Sequence, residues 1–286
     1  MNATESLSHG VQRLVAESRG RRPRAVAASE RRAELLAGGL FLLAAALIAV
    51  FLTTDRTLEW TDAVLATVAL AASSLVVFEV GSVHTYPTQV AFVPMLFVLP
   101  PELVPLFVFA GLMLGKIVNA LSGQLAPGRI LMAAADSWFA IGPSLVLIAA
   151  GAPAATTAAW YVLIAALASQ FLVESGAAAV RERLHGDASF GQQVAESRWI
   201  YVVDVLLAPV GFAVALAATG RPWVLMLPLS LFLLLLIFAR ERSARLQSLL
   251  ELSSAYRGTA HVLGDMIGHD DSYTGSHSRS VVELAV

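Results

Sequence analysis

Three groups of residues in this 286-residue chain have types and spacings that bear on chemistry. The first is the C-terminal string Asp271-Ser-Tyr-Thr-Gly-Ser-His277-Ser-Arg279. Gly275 and the Asp/Ser cluster read as a turn. Thr274 or Ser276 is placed to cap a short helix carrying His277, Val281, Val282 and Leu284. A lone histidine in such a first turn is, on its own, structural or solvated. The second group is a set of polar side chains in or beside apolar runs: Glu79, His84, Lys116, Asn119, Asp136, Glu174 and Asp204. An ionisable group at bilayer depth is costly and faces the interior of a helix bundle. One reading is a ligand or ion pocket with Asp136 and Asp204 as its acceptors. The other is interhelical pairing, for instance with Lys116 or Arg129. The third group is Pro94, Pro100 and Pro105 between Thr85 and Val108. Prolines at membrane depth free backbone carbonyls, which shapes either a pocket or a kinked hairpin packed for shape.

The string met here as Asp271, Tyr273, Thr274, His277, Ser278 and Arg279, preceded by GDMIGHDD, resembles the opening of the HD-GYP family within the HD phosphohydrolases. The resemblance covers Leu263 to Val286. It implies an all-helical domain that binds two or three divalent transition metals and hydrolyses cyclic di-GMP. His277 is then the first metal-associated histidine, with Asp271, Tyr273, Thr274 and Arg279 as motif support. The HD dyad and the GYP motif of the family would lie beyond Val286. His269-Asp270 is an HD dipeptide, but it stands before the string and reads as coincidence. Two-metal hydrolysis needs several His and Asp ligands around metals about 3.5–4 Å apart. The residues up to Val286 are therefore expected to be inactive by themselves, as the start of an incomplete domain.

The elements that must carry these groups are membrane-like. Of all residues 57% are hydrophobic and 14% charged, against roughly 25% charged in an ordinary soluble domain. The absence of cysteine excludes disulfides and thiolate metal sites. Residues 1–34 are polar and basic, with Arg13, Arg19, Arg21, Arg22, Arg24, Arg31 and Arg32. They read as a cytoplasmic tail, either solvated or touching anionic lipid. The first apolar run starts near Leu35 behind this long lead, as in a permanent anchor rather than a cleavable signal.

Apolar runs follow at 35–53, 62–80, 88–99, 102–121, 130–150, 156–180, 199–218 and 222–240. The expected fold is all-α: a polytopic bundle over 35–240 with about eight spans, or seven if the short run 88–99 does not cross. With 88–121 counted as a hairpin turning at Pro100-Pro101-Glu102, both termini are cytoplasmic and only Arg56 and Arg221 lie outside. A charged connector over 241–268 comes next, then the start of the HD-type domain over 269–286. In the connector, Leu246, Leu249 or Leu250, Ser253, Tyr256, Ala260, Leu263 and Ile267 recur at steps of three and four. That stripe suits a parallel homodimer or an ordinary amphipathic helix.

The expectation from the whole chain is an inner-membrane sensor of a metal-dependent phosphohydrolase acting on a cyclic dinucleotide, not on a nucleic-acid polymer. The alternatives are a polytopic transporter and a non-enzymatic membrane regulator.

Overall fold

A computed structural model of the chain describes residues 28–80, 83–123, 125–185 and 190–270. The basic tail up to residue 27 and the whole string Asp271, Tyr273, Thr274, His277 and Arg279 lie outside the described residues. The element order is α1 (Ala28–Phe51), α2 (Trp60–Ser73), β1 (Phe78–Val80), β2 (Val83–Thr85), α3 (Gln89–Val98) and α4 (Val104–Leu121). Two 3₁₀ segments follow, Pro127–Ala133 and Ala135–Ala140, leading into α5 (Ile141–Ala149). Then come α6 (Trp160–His185), α7 (Phe190–Ala218), a 3₁₀ turn at Pro222–Met226 and α8 (Pro228–Asp270).

Each apolar run contributes a helical element, but fewer of them are membrane-length than the runs suggest. Five segments are long and apolar enough to cross a membrane: Arg31–Phe51, Val104–Leu121, Pro127–Ala149, Trp160–Arg181 and Ile200–Ala218. Trp60–Ser73, Gln89–Val98 and Pro222–Phe238 are shorter apolar helices. The run at 62–80 shows why. Its helix stops at Ser73, where the Ser73 and Ser74 hydroxyls turn back to donate to the Leu70 and Ala71 carbonyls. The valine-rich chain beyond then enters a small antiparallel hairpin pairing Phe78 with Thr85, Glu79 with His84 and Val80 with Val83. β-Branched residues favour the extended backbone. Glu79 and His84 thus sit on strands, not within a membrane helix as their positions suggested. This hairpin is the one departure from an all-helical fold among the described residues.

The chain divides into two compact units. Within the first, Ala25–Ile237, the core is organised around α3. Val90, Ala91, Phe92, Met95, Leu96 and Phe97 of this ten-residue helix are all buried. A helix that is apolar all round belongs in an interior. It packs chiefly on α7, and also on α2, α4 and α5. Pro94 lies inside it, and Pro105 opens α4, so the proline-rich stretch is a tight helical hairpin. The large apolar side chains left on the outside, such as Leu36, Leu43, Leu172, Leu206 and Leu233, give the bundle a lipid-compatible surface. Within the second unit the described part is α8 from Phe238 onward.

One end of the bundle is closed by Arg56, in the loop after α1. Its guanidinium donates to the Leu96 and Leu99 carbonyls at the end of α3, at 2.9 and 2.7 Å. It also donates to the Ala152 and Pro153 carbonyls beyond α5, each at 2.9 Å. The carbonyl end of α3, which carries partial negative charge, and the loop after α5 thereby share one cation. Beside it, buried Glu102 accepts from the Thr54 backbone N–H at 3.0 Å and from the Thr54 hydroxyl at 2.8 Å. Burial lowers the Arg56 pKa from its ordinary value, and the negative charge of Glu102 opposes that shift. Arg56 and Glu102 share this end, and Arg56 acts there as a structural clamp. Hydrogen bonds to charged groups are worth about 1.5–3 kcal/mol each. Arg56→Ala should therefore cost about 3 kcal/mol or more and visibly lower the thermal midpoint of the protein in detergent. Arg56→Lys should recover only part, because an ammonium cannot present the same planar fork. An unchanged midpoint for Arg56→Ala would contradict the clamp.

Candidate functional site

A cavity of about 310 Å³ lies within the Ala25–Ile237 unit. Its wall combines apolar surface with the charged side chains of Lys116, Asp136, Glu174, Arg181 and Asp204. α4 spans the distance from the Arg56 clamp to the cavity: its first residues follow Glu102, and its Lys116 and Asn119 line the cavity. At 1.5 Å per residue the two ends lie about 20 Å apart.

Asp136 and Asp204, the two acceptors expected from sequence, both line this one cavity. They reach it by different routes. Asp136 sits in the second 3₁₀ segment, held against α1 by Trp138, whose indole N–H donates to the Ala37 carbonyl at 3.1 Å. Lys116 Nζ lies 2.7 Å from Asp136 Oδ2, and Arg181 Nη1 lies 3.3 Å from Asp136 Oδ1. Arg181 also lies 3.6 Å from Glu34 of α1. The pairing and pocket readings therefore coexist at Asp136: its ion pair is part of the cavity wall. The expected partner Arg129 does not line the cavity, whereas Lys116 does.

Asp204 is different. It is only 6% exposed, and its nearest polar partners are amides rather than cations. Gln170 Nε2 lies 3.5 Å from Asp204 Oδ2, and the Gln89 amide faces the same carboxylate. Gln89 is the first residue of α3, and the N-terminal end of a helix dipole favours a neighbouring negative charge. Nearby on the same pair of helices, the Ser175 and Tyr201 hydroxyls are 2.6 Å apart.

Glycines set these distances. A Cβ on Gly211 of α7 would stand 2.6 Å from the Gln89 carbonyl of α3, and a Cβ on Gly142 of α5 would stand 2.5 Å from the Ser169 carbonyl of α6. Close helix approach through small residues is a common way of packing membrane helices. Gly211 lies two turns from Asp204, so the contact that admits α7 to α3 also brings Asp204 to Gln89.

Sequence reading missed Gln170 and Arg181 as cavity residues, and it included Glu174 among the polar candidates without making it an acceptor of the pocket. The signal was present: Gln170, Glu174, Ala177 and Arg181 recur at steps of four, three and four along α6, and all four line the cavity. Gln89 carried no such signal. His277 lies outside the described residues, and among those described no group of three or more His, Asp or Glu side chains is arranged to hold a metal ion.

Fold and cavity together define a helical, membrane-type bundle with a charged recess. No known family model, curated protein or solved structure matches the chain.

Gly211→Ala should cost about 1–3 kcal/mol, the usual range for overpacking, and lower the thermal midpoint. Gly39→Ala on α1, where an added Cβ meets nothing within 4 Å, should be neutral or slightly stabilising. Equal effects at the two positions would contradict the close α3–α7 contact.

Proposed function

We propose that the chain is the sensing and connecting part of a membrane-anchored phosphohydrolase that acts on a cyclic dinucleotide, cyclic di-GMP by resemblance. In this reading the cavity receives a small ligand, and α8 carries the response towards the HD-type domain that begins near His269. The termini are cytoplasmic and the membrane is the inner one. The observation that carries the reading is α8 itself. It is a single helix over Pro228–Asp270, apolar at its start and charged beyond Ala239, and Asp270 is the last described residue before the HD-like string. A continuous helix can pass on a slide or a twist that a flexible linker would absorb.

In the second unit Leu249, Tyr256 and Leu263 are exposed at a spacing of seven residues, with Leu252 between the first two. That is the spacing of a parallel coiled coil, and the occupant we assign to this face is a second copy of the chain. The chain has no cysteine, so one introduced residue reports alone. Leu249→Cys and Tyr256→Cys should form disulfide-linked dimers in membranes, and Glu251→Cys on another face should do so much less. Equal cross-linking at all three positions would sink the dimer.

The catalytic part of the reading is tested in protein expressed from the full reading frame. Hydrolysis of cyclic di-GMP that depends on divalent transition metal is expected, and His277→Ala should reduce it by at least about 100-fold, beyond the usual loss for a supporting residue. Wild-type activity in that variant would remove the metal role of His277. The convergence of Asp136, Glu174 and Asp204 with Lys116 and Arg181 favours a second reading, a transporter whose substrate occupies the cavity. Ligand uptake into vesicles without cyclic di-GMP hydrolysis would select it.

A further inference from the structure

The cavity has an imbalance of charge that points to the chemistry of its ligand, and the assignment of that ligand rests on the cavity being a sensory site. Three carboxylates, Asp136, Glu174 and Asp204, line it against two cations, Lys116 and Arg181. Both cations are already engaged, Lys116 with Asp136 and Arg181 with Asp136 and Glu34. Among the described residues neither Glu174 nor Asp204 forms an ion pair. Asp204 is only 6% exposed, and the neutral Gln170 amide, 3.5 Å from its Oδ2, does not balance its charge. Tyr86, Trp138 and Phe139 complete the wall with aromatic surface, which also favours a cation.

We infer that this cavity binds a small protonated amine, with Glu174 and Asp204 as its counter-ions, Gln170 beside them, and the aromatic residues around its alkyl part. An anion is disfavoured, because both basic side chains are already paired within the wall. A volume of about 310 Å³ is at the small end of ligand sites and suits a short amine or an ethanolamine headgroup. The shared chemistry is the primary ammonium. Its two sources are a free amine and a phosphatidylethanolamine lipid entering from the side.

The test uses the whole chain in nanodiscs of phosphatidylglycerol, titrated with ethylammonium and ethanolamine and followed by tryptophan fluorescence and calorimetry. Saturable binding is expected. Glu174→Gln and Asp204→Asn should each weaken it at least tenfold, while Asp55→Asn in the loop next to Arg56 should leave it unchanged. The conservative variants keep the side-chain volume, and a thermal midpoint measured on each shows that the bundle still folds. Nanodiscs that also contain phosphatidylethanolamine separate the sources: competition identifies the lipid headgroup, and its absence a free amine, and both outcomes support the ammonium site. No saturable binding, or equal affinity in wild type and both folded variants, overturns it. If that happens while Glu174→Gln still alters cyclic di-GMP hydrolysis, the ligand class is wrong and the sensory reading stands.

Discussion

The structure depends on a helix that is too short for its position. α3 has ten residues and is buried all round. It is about 15 Å long at 1.5 Å per residue, about half of a hydrocarbon core of roughly 30 Å. Longer helices surround it, so it fills only one half of the interior. In that half, side chains such as Phe92, Met95 and Leu99 pack without polar groups, and Arg56 closes the end by gathering the last carbonyls. The other half begins at Gln89. Polar side chains and the small hairpin occupy it, because no apolar helix is there to fill it.

This division explains why the cavity can exist. Ionisable groups at depth are tolerated only where they pair with one another or line a polar space. Lys116, Asp136, Arg181 and Glu34 meet the first condition by tying α4, the 3₁₀ segment, α6 and α1 together. Glu174 and Asp204 meet the second. The 3₁₀ segments belong to the same solution. Their tighter turns give up good hydrogen-bond geometry, and they set Asp136 opposite Lys116 just before α5 begins.

The two ends of the bundle therefore do different work. At the clamp end a half-buried cation and a buried carboxylate are matched by backbone carbonyls and by Thr54. That is a closed arrangement that fixes loops. At the cavity end, Glu174 and Asp204 line the wall without an ion pair among the described residues. An arrangement of the first kind supports a fold. One of the second kind leaves a role for a ligand, and a ligand drawing α6 and α7 together there would act on helices that Gly142 and Gly211 already hold at close range to α5 and α3.

How much of this was legible in the sequence depends on the range of each interaction. Composition and apolar runs determined a helical membrane-type chain, because burial of apolar area over twenty residues is a local sum. They placed the turn at Pro100-Pro101 and the uninterrupted run into the connector, since proline effects and helical periodicity are local too. They also picked out Asp136 and Asp204, because a charge in an apolar run stands out without any partner. The length of α2 was not legible, because apolar residues that continue a helix and those that enter a strand read alike until the hairpin pairs. The position of Arg56 under four carbonyls was decided only by tertiary structure. So was the meeting of Asp136 with Asp204. These depend on which helix lies beside which, and that is set by where two glycines allow backbones to touch, a matter of shape across the bundle rather than of pattern along the chain.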